Sequence, residues 1–382
     1  MSSSLRDLLE KLISFDTTSR ESNLELIHFI QRYLADYGIA AQLLPDESGR
    51  KANLFATIGP EGGEGVILSG HTDVVPVDGQ RWSVPPFELT ADRGRYYGRG
   101  CADMKGFLAC VLASVPEFVA QPLRQPLHLA FSYDEEVGCL GVRSLTEQIA
   151  AAGSKPALCI IGEPTEMRPV YGHKGKLAMR CHVKGHACHS AYTPQGVNAI
   201  EYASRLMTRL IDEGERLTTA CDARFEPAFS TLQIGTIEGG VALNIVPQSC
   251  QFDFEIRHLP DAPPDAIIDR LIDYAQNELL PAMRQKSDDC SITFHPLSRY
   301  PGLLTHPQHS YSRLLAEWCE SDDFSTVAFG TEGGLFNEAG VTTLICGPGS
   351  MEQGHKPDEF ISEDQLARCM KMLNNLTRWL RV

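Results

Sequence analysis

Two histidines and several carboxylates recur in this chain at one kind of place, just past a short apolar run. Val66-Ile67-Leu68 ends in Ser69-Gly70 and presents His71 and Asp73. A glycine-rich turn, Tyr97-Gly98-Arg99-Gly100, presents Asp103 ahead of an apolar helix. Residues 127–132 lead into Asp134-Glu135-Glu136, and residues 157–161 lead into Gly162-Glu163-Pro164. Residues 341–346 lead into Gly347-Pro-Gly-Ser350 and then His355. Imidazoles and carboxylates are the ligand types of a zinc-like site, and an oxygen-rich set of this kind can hold two metals. Two ions about 3.5–4 Å apart require a carboxylate that bridges them. Without a cation, carboxylates buried together repel one another and their pKa values rise.

Taken singly, each residue has a plainer reading. Asp103 reads as the cap of the helix beside it. Glu163-Pro164 reads as a helix start, His71 as a hydrogen-bonded histidine at a strand end, and His355 as a surface loop residue. Asp134-Glu135-Glu136 reads as a solvated turn. Their convergence favours the metal site, because four apolar strands in one chain each precede a His, Asp or Glu.

The elements that must position them follow from periodicity. The runs at 66–68, 127–132, 157–161 and 341–346 lack polar alternation, as strands buried on both faces do. Strands alternating with helices predict a mostly parallel sheet with right-handed crossovers, whose carboxyl ends share one crevice. Helices are expected over 5–15, from a Ser22 cap to Gly38, over 104–115 and over 362–380; strands are expected over 39–44 and 53–58. The middle of the chain differs. Leu177, Met179, Cys181 and Val183 alternate with polar residues, as do Phe252, Phe254 and Ile256, which marks an antiparallel sheet with one covered face. Helices over 196–213 and 264–282, with strands near 231–237 and 292–295, complete a βαββαβ order of ferredoxin type. The expected class is therefore α/β. A discontinuous metal-binding catalytic domain (1–174 and 299–382) carries an inserted lid or dimerisation domain (175–298).

Composition sets outer bounds. A chain of 382 residues exceeds one ordinary core, and 43% hydrophobic content suits a globular protein. A net charge of -15 argues against nucleic acid or an anionic membrane as partner. The start, MSSSLRDLLEKLISF, lacks the pattern of a signal peptide, and no run reaches the roughly 18 apolar residues of a membrane span. Twelve cysteines occur without a C-x-x-C, so reduced core cysteines in a cytoplasmic protein are expected.

Six stretches carry a closer resemblance: SGHTDVVP (69–76), YGRGCADMKG (97–106), SYDEEVGCLG (132–141), GEPTEMRPVYGHKG (162–175), GTEGGLF (330–336) and CGPGSMEQGHKPDEF (346–360). With them the chain resembles the M20 family of metallopeptidases and deacylases over essentially its full length. The last two, with SYDEEVGCLG, resemble the branch acting on N2-acetyl-L-ornithine more than the branch acting on N-succinyl-diaminopimelate. The resemblance implies two divalent ions, zinc first and cobalt as the alternative. His71, Asp103 and Glu163 would hold one ion, and Asp103, Glu136 and His355 the other, with Asp103 bridging. Asp73 would orient the His71 imidazole. Glu135 would take a proton from metal-activated water attacking an amide carbonyl. His189, in Gly185-His-Ala-Cys-His189-Ser190, would help hold the oxyanion, often across a dimer interface. Asn244 and Arg257 would bind the substrate carboxylate, the arginine by its planar fork. Arg257 read alone is a surface ion pair with Glu255 or Asp253. Glu332 is expected to meet the substrate's side-chain ammonium. Cys101 and Cys188 depart from the motifs without disturbing a named role. The expected function is deacetylation of N2-acetyl-L-ornithine in arginine biosynthesis, by a homodimer paired through its inserted domain. The alternatives are a related deacylase or dipeptidase acting on another N-acyl amino acid, and a metal- or amino-acid-binding protein without turnover.

Overall fold

A computed structural model describes residues 3–151 and 156–381. The outer ends of the expected catalytic domain, and residues 152–155 within it, lie outside the described residues. The chain divides into two compact units. One runs up to Gly172 and takes in Leu303–Thr326 and everything from Thr331; the other is His173–Gly302 with Val327–Gly330.

The first unit is built on one large sheet, with a small three-stranded sheet of Phe360–Ser362, Arg95–Tyr97 and Thr90–Asp92 beside it in the same unit. The strands of the large sheet lie in the order Ala41–Pro45, Ala52–Ile58, Leu127–Ser132, Val66–His71, Leu158–Pro164, Thr342–Gly347, Val170–His173 and Leu303–Leu304. The four runs with chemistry at their ends are neighbours and mutually parallel: Val66–His71 pairs with Leu127–Ser132 and with Leu158–Pro164, which pairs with Thr342–Gly347. Every residue of the first three of these strands is buried, as their unbroken apolar pattern requires. Antiparallel strands close one side, Ala52–Ile58 on Leu127–Ser132 and Ala41–Pro45 beyond it.

Helices cover this sheet. Gly106–Ala120 is buried over most of its surface, and Ser3–Ile13 and Glu363–Arg381 pack against it. It runs five residues past the expected end at 115, because Pro116 falls inside it without stopping it. Asp103 does not cap it. Cys101–Lys105 forms a separate turn in which Asp103 has non-helical φ -123° and ψ 93°. The Ser22 hydroxyl accepts the Leu24 N–H at 3.2 Å, as a cap would, although it stands one residue before the N-cap position. The helix Leu24–Asp36 has Asn23 at its N-cap, and the Asn23 side chain instead bonds Ala52 and Thr72. No helix among the described residues is long and apolar enough to cross a membrane.

The second unit has the βαββαβ order. Gly175–Lys184, Thr231–Gly239, Ser249–His258 and Ser291–Tyr300 form an antiparallel sheet in the order second, third, first, fourth. Strict alternation buries Leu177, Met179, Cys181 and Val183 with Phe252, Phe254 and Ile256 on one face. The helix Ala199–Leu217 starts three residues later than the spacing suggests. Asn198 caps it, accepting from the Ile200 and Glu201 N–H groups at 3.0 and 3.3 Å, worth about 1 kcal/mol. The expected helix over 264–282 is interrupted by a wider turn at Ala275–Leu279.

Candidate metal centre

Parallel strands end together, and here that brings their chemistry to one edge of the first unit. His71 is the last residue of its strand, Glu163 lies next to the end of a neighbouring strand, and Glu135 and Glu136 follow the strand ending at Ser132. The Cys346 strand sends its loop back to deliver His355, whose backbone is left-handed at φ +63°.

Asp103 lies between the two imidazoles. Its Oδ1 is 3.0 Å from His71 Nε2 and its Oδ2 is 3.2 Å from His355 Nε2. Glu163 Oε1 is 3.7 Å from His71 Nε2, and Glu136 Oε2 is 3.1 Å from His355 Nε2. Two overlapping triads thus share Asp103: His71 with Glu163, and His355 with Glu136. By ligand-atom spacing alone, Glu135 also groups with His71 and Glu163, and Glu136 with His71 and Asp103. Proximity therefore does not separate the expected base from the expected ligands.

Electrostatics show what these groups lack. Burial, joined by Asp103, raises the pKa of Glu163 well above the carboxylate range and that of Glu136 to about 7. Glu135 is likewise pushed up by burial, with Glu136 and Glu332 adding to it against the pull of His71. Burial works against a charged His71, but Asp103 and Asp73 outweigh it and raise the imidazole pKa. Contacts with Asp103 and Glu136 raise His355 to about 10. Glu136 Oε1 is buried with no hydrogen-bond partner. An orphaned carboxylate oxygen costs on the order of 1–3 kcal/mol or more unless something binds it. Two imidazoles, three carboxylates and one unsatisfied oxygen form a donor set that fits a pair of divalent cations.

Asp73 contacts the His71 imidazole and also holds the neighbouring turn. His71 Nδ1 meets the Asp73 carbonyl at 2.9 Å, and the carboxylate is farther, at 3.5 Å. The Asp73 carboxylate also accepts the N–H groups of Glu135 and Glu136 at 3.1 and 3.3 Å and the Ser19 hydroxyl at 2.7 Å. One side chain thus fixes the turn that carries both glutamates. Asp134 turns away from the site to pair with Lys51. Cys139, absent from the sequence reading, places its thiol 3.4 Å from Glu135 Oε1.

Glu332 also belongs to the first unit. It is buried, takes a hydrogen bond from Ser132 and lies 3.5 Å from the Ser69 hydroxyl, and burial raises its pKa to about 7. His189, Asn244 and Arg257 belong to the second unit. His189 and Ile245 form an isolated antiparallel bridge, and Ser190 N–H donates to the Asn244 carbonyl at 3.0 Å, so these two segments are neighbours. Arg257 donates to the Tyr300 hydroxyl at 2.9 Å and lies 3.4 Å from Glu255, while Asp253 is taken by Arg180.

Residues 67–378 match the model of peptidase family M20/M25/M40. An acetylornithine deacetylase of Pasteurella multocida (strain Pm70) is 34% identical over 368 residues, covering 95% of this chain and 93% of its own length. The fold is similar to that of an M20 family metallo-carboxypeptidase from Sulfolobus solfataricus. Its TM-score is 0.78 at 18% identity, with all of both chains covered. A Bacillus subtilis protein described as a dinuclear metal binding peptidase from the M20 family also superimposes. Its TM-score is 0.67 at 13% identity, over 99% of this chain and 97% of that one.

Proposed function

The chain belongs to peptidase family M20/M25/M40 and is a hydrolase, and from that premise we propose that it deacetylates N2-acetyl-L-ornithine to L-ornithine and acetate in arginine biosynthesis. The observation that carries this reading is the placement of Asp103 between His71 and His355, with Glu163 and Glu136 completing the two triads.

His71, Asp103 and Glu163 would hold one divalent ion, and Asp103, Glu136 and His355 the other. Zinc is our assignment, and the same donors accept cobalt. Bound there, the ions would lower the pKa of water and polarise the amide carbonyl. Glu135 takes the proton of the attacking water and returns it to the departing amine. A carboxylate whose proton affinity is raised by burial suits that role better than a surface glutamate. Asp73 keeps Glu135 aimed by holding its backbone N–H. His189 supports the developing oxyanion, and Asn244 and Arg257 take the substrate carboxylate. The second unit acts as a lid and as the pairing surface of a homodimer. The protein works in the cytoplasm, where its twelve free cysteines stay reduced.

A substrate panel tests the assignment. N2-acetyl-L-ornithine is expected to exceed N-succinyl-diaminopimelate and simple dipeptides by at least ~10²-fold in kcat/KM, the discrimination a site gains when wrong substrates leave buried polar groups unpaired. A flat profile, or preference for a dipeptide, assigns the chain to another activity of the same family.

We assign Glu332 to the side-chain ammonium of the substrate. It is a buried carboxylate that meets the Ser132 and Ser69 hydroxyls at the strand ends, and a cation would relieve it. Glu332→Gln is expected to raise KM for N2-acetyl-L-ornithine roughly tenfold, the ~1.4 kcal/mol lower end for a hydrogen bond to a charged group. An unchanged KM removes Glu332 from substrate recognition.

A further inference from the structure

Arg99 and Glu359 form an ion pair in the first unit, each about 1% exposed, that neither proton transfer nor metal ligation uses. Burying two charges costs several kcal/mol per ion before their attraction is counted, so their contacts bear on what they do.

The Glu359 carboxylate collects four donors. Oε1 accepts from the N–H groups of Ala102 and Asp103 at 2.8 and 3.0 Å, and Oε2 accepts from Gly100 N–H at 3.0 Å and Arg99 Nη1 at 2.7 Å. The Glu359 carbonyl also accepts from Gly98 N–H at 3.0 Å. The turn so gripped is tight: Gly100 sits at φ +86°, and a Cβ there would lie 2.8 Å from Val74. Its last residue is Asp103.

The other side of the pair reaches His355. Arg99 Nη1 also donates to the Lys356 carbonyl at 3.3 Å, and Nη2 donates to Gln80 Oε1 at 2.6 Å. Gln80 Nε2 in turn donates to the His355 carbonyl at 2.9 Å. An unbroken path of hydrogen bonds therefore runs from the Asp103 N–H, through Glu359, Arg99 and Gln80, to the backbone of His355. His355 is half-exposed, on a loop and left-handed, a backbone state that persists only when its surroundings hold it. His71 and Glu163 differ, since both sit in strands fixed by the sheet.

We propose that Glu359, Arg99 and Gln80 are positioning residues that set the spacing of Asp103 and His355, and thereby the affinity of the ion held by Asp103, Glu136 and His355. The proposal rests on the reading of this edge as a two-ion centre. Glu359 holds Asp103, which both ions share. Gln80 holds only His355, which serves one ion. The two sites must therefore respond unequally, and most unequally to the Gln80 change.

Zinc titration calorimetry on chelator-treated protein separates the cases. Native protein is expected to take up two ions. Gln80→Ala, a change at a partly exposed residue, is expected to weaken one of the two binding events tenfold and leave the other within twofold. Glu359→Gln, which keeps the shape but loses half the acceptors, is expected to weaken that event by ~10–100-fold, the range for partners that orient ligands, and the other event as well but by less. Thermal unfolding of each chelated variant, compared with native, reports any loss of fold apart from these affinities. Equal weakening of both events by Gln80→Ala makes the pair a general structural support and overturns the proposal. Native-like titrations of Gln80→Ala overturn it as well. Should native protein bind fewer than two ions, the two-ion reading itself fails and the proposal falls with it.

Discussion

Glu135→Ala is expected to keep both metal ions and to lose ~10²–10⁴-fold in kcat, the usual weight of a positioned acid–base group. Three features of the site argue for this split. The Glu135 and Glu136 carboxylates have distinct partners although they are consecutive: Glu136 Oε2 meets His355 at 3.1 Å, whereas Glu135 Oε1 meets the Cys139 thiol. Asp73 binds both backbone N–H groups, so removing one side chain leaves the turn anchored. The orphaned oxygen belongs to Glu136, not to Glu135, which marks Glu136 as the one awaiting a cation. Metal analysis and steady-state rates on the same sample check the expectation. If Glu135→Ala sheds an ion, Glu135 is a ligand, as its nearness to His71 and Glu163 would allow. If it retains full turnover, another group is the base. A native protein that binds N2-acetyl-L-ornithine without hydrolysing it is a binding protein.

What the sequence discloses about this edge, and what it conceals, divides by physical cause. The central strands are legible because burial on both faces forces an unbroken apolar run, and a parallel sheet forces their ends to coincide. That is enough to gather His71, Glu135, Glu136 and Glu163 at one sheet edge from the sequence alone. The alternating strands of the second unit are legible for the converse reason. Asp103 taken alone could equally have been a cap, because a residue that opens a helix and one held just short of it share the same neighbours in sequence. Arg99 and Glu359 escape altogether. A charged residue ordinarily reads as solvated, and nothing local says that two charges 260 positions apart are buried against each other. Their setting inside glycine-rich stretches beside Asp103 and His355 was the available signal. Asn23 at the N-cap position is missed because its side chain makes no bond to its own helix and finds its partners across the fold.

Asp103→Asn is the severest test of the two-ion centre, because one substitution touches both triads. The amide keeps the size and one oxygen of the carboxylate but loses the charge and one of two ligating atoms. In the native chain those atoms face opposite imidazoles, Oδ1 toward His71 and Oδ2 toward His355. The carboxylate is also tuned to stay charged: burial would raise its pKa, yet the contacts with His355 and His71 win and lower it. An ionised carboxylate therefore lies between the two imidazoles at neutral pH, and the amide removes it at every pH. Asp103→Asn is expected to lower kcat/KM by on the order of 10³-fold or more, the several kcal/mol of charge stabilisation that metal supplies. Zinc at 100 times its Kd stabilises a native protein that alone binds it by about 2.7 kcal/mol, which raises Tm. That rise is expected to vanish or shrink sharply in Asp103→Asn, while the chelated variant still unfolds cooperatively. The backbone N–H of Asp103 keeps its bond to Glu359 in the variant, so the turn itself has no reason to open. Two tightly held ions in Asp103→Asn, with a native zinc-dependent rise in Tm, would mean that the triads do not share this residue, and the bridged centre would have to be abandoned.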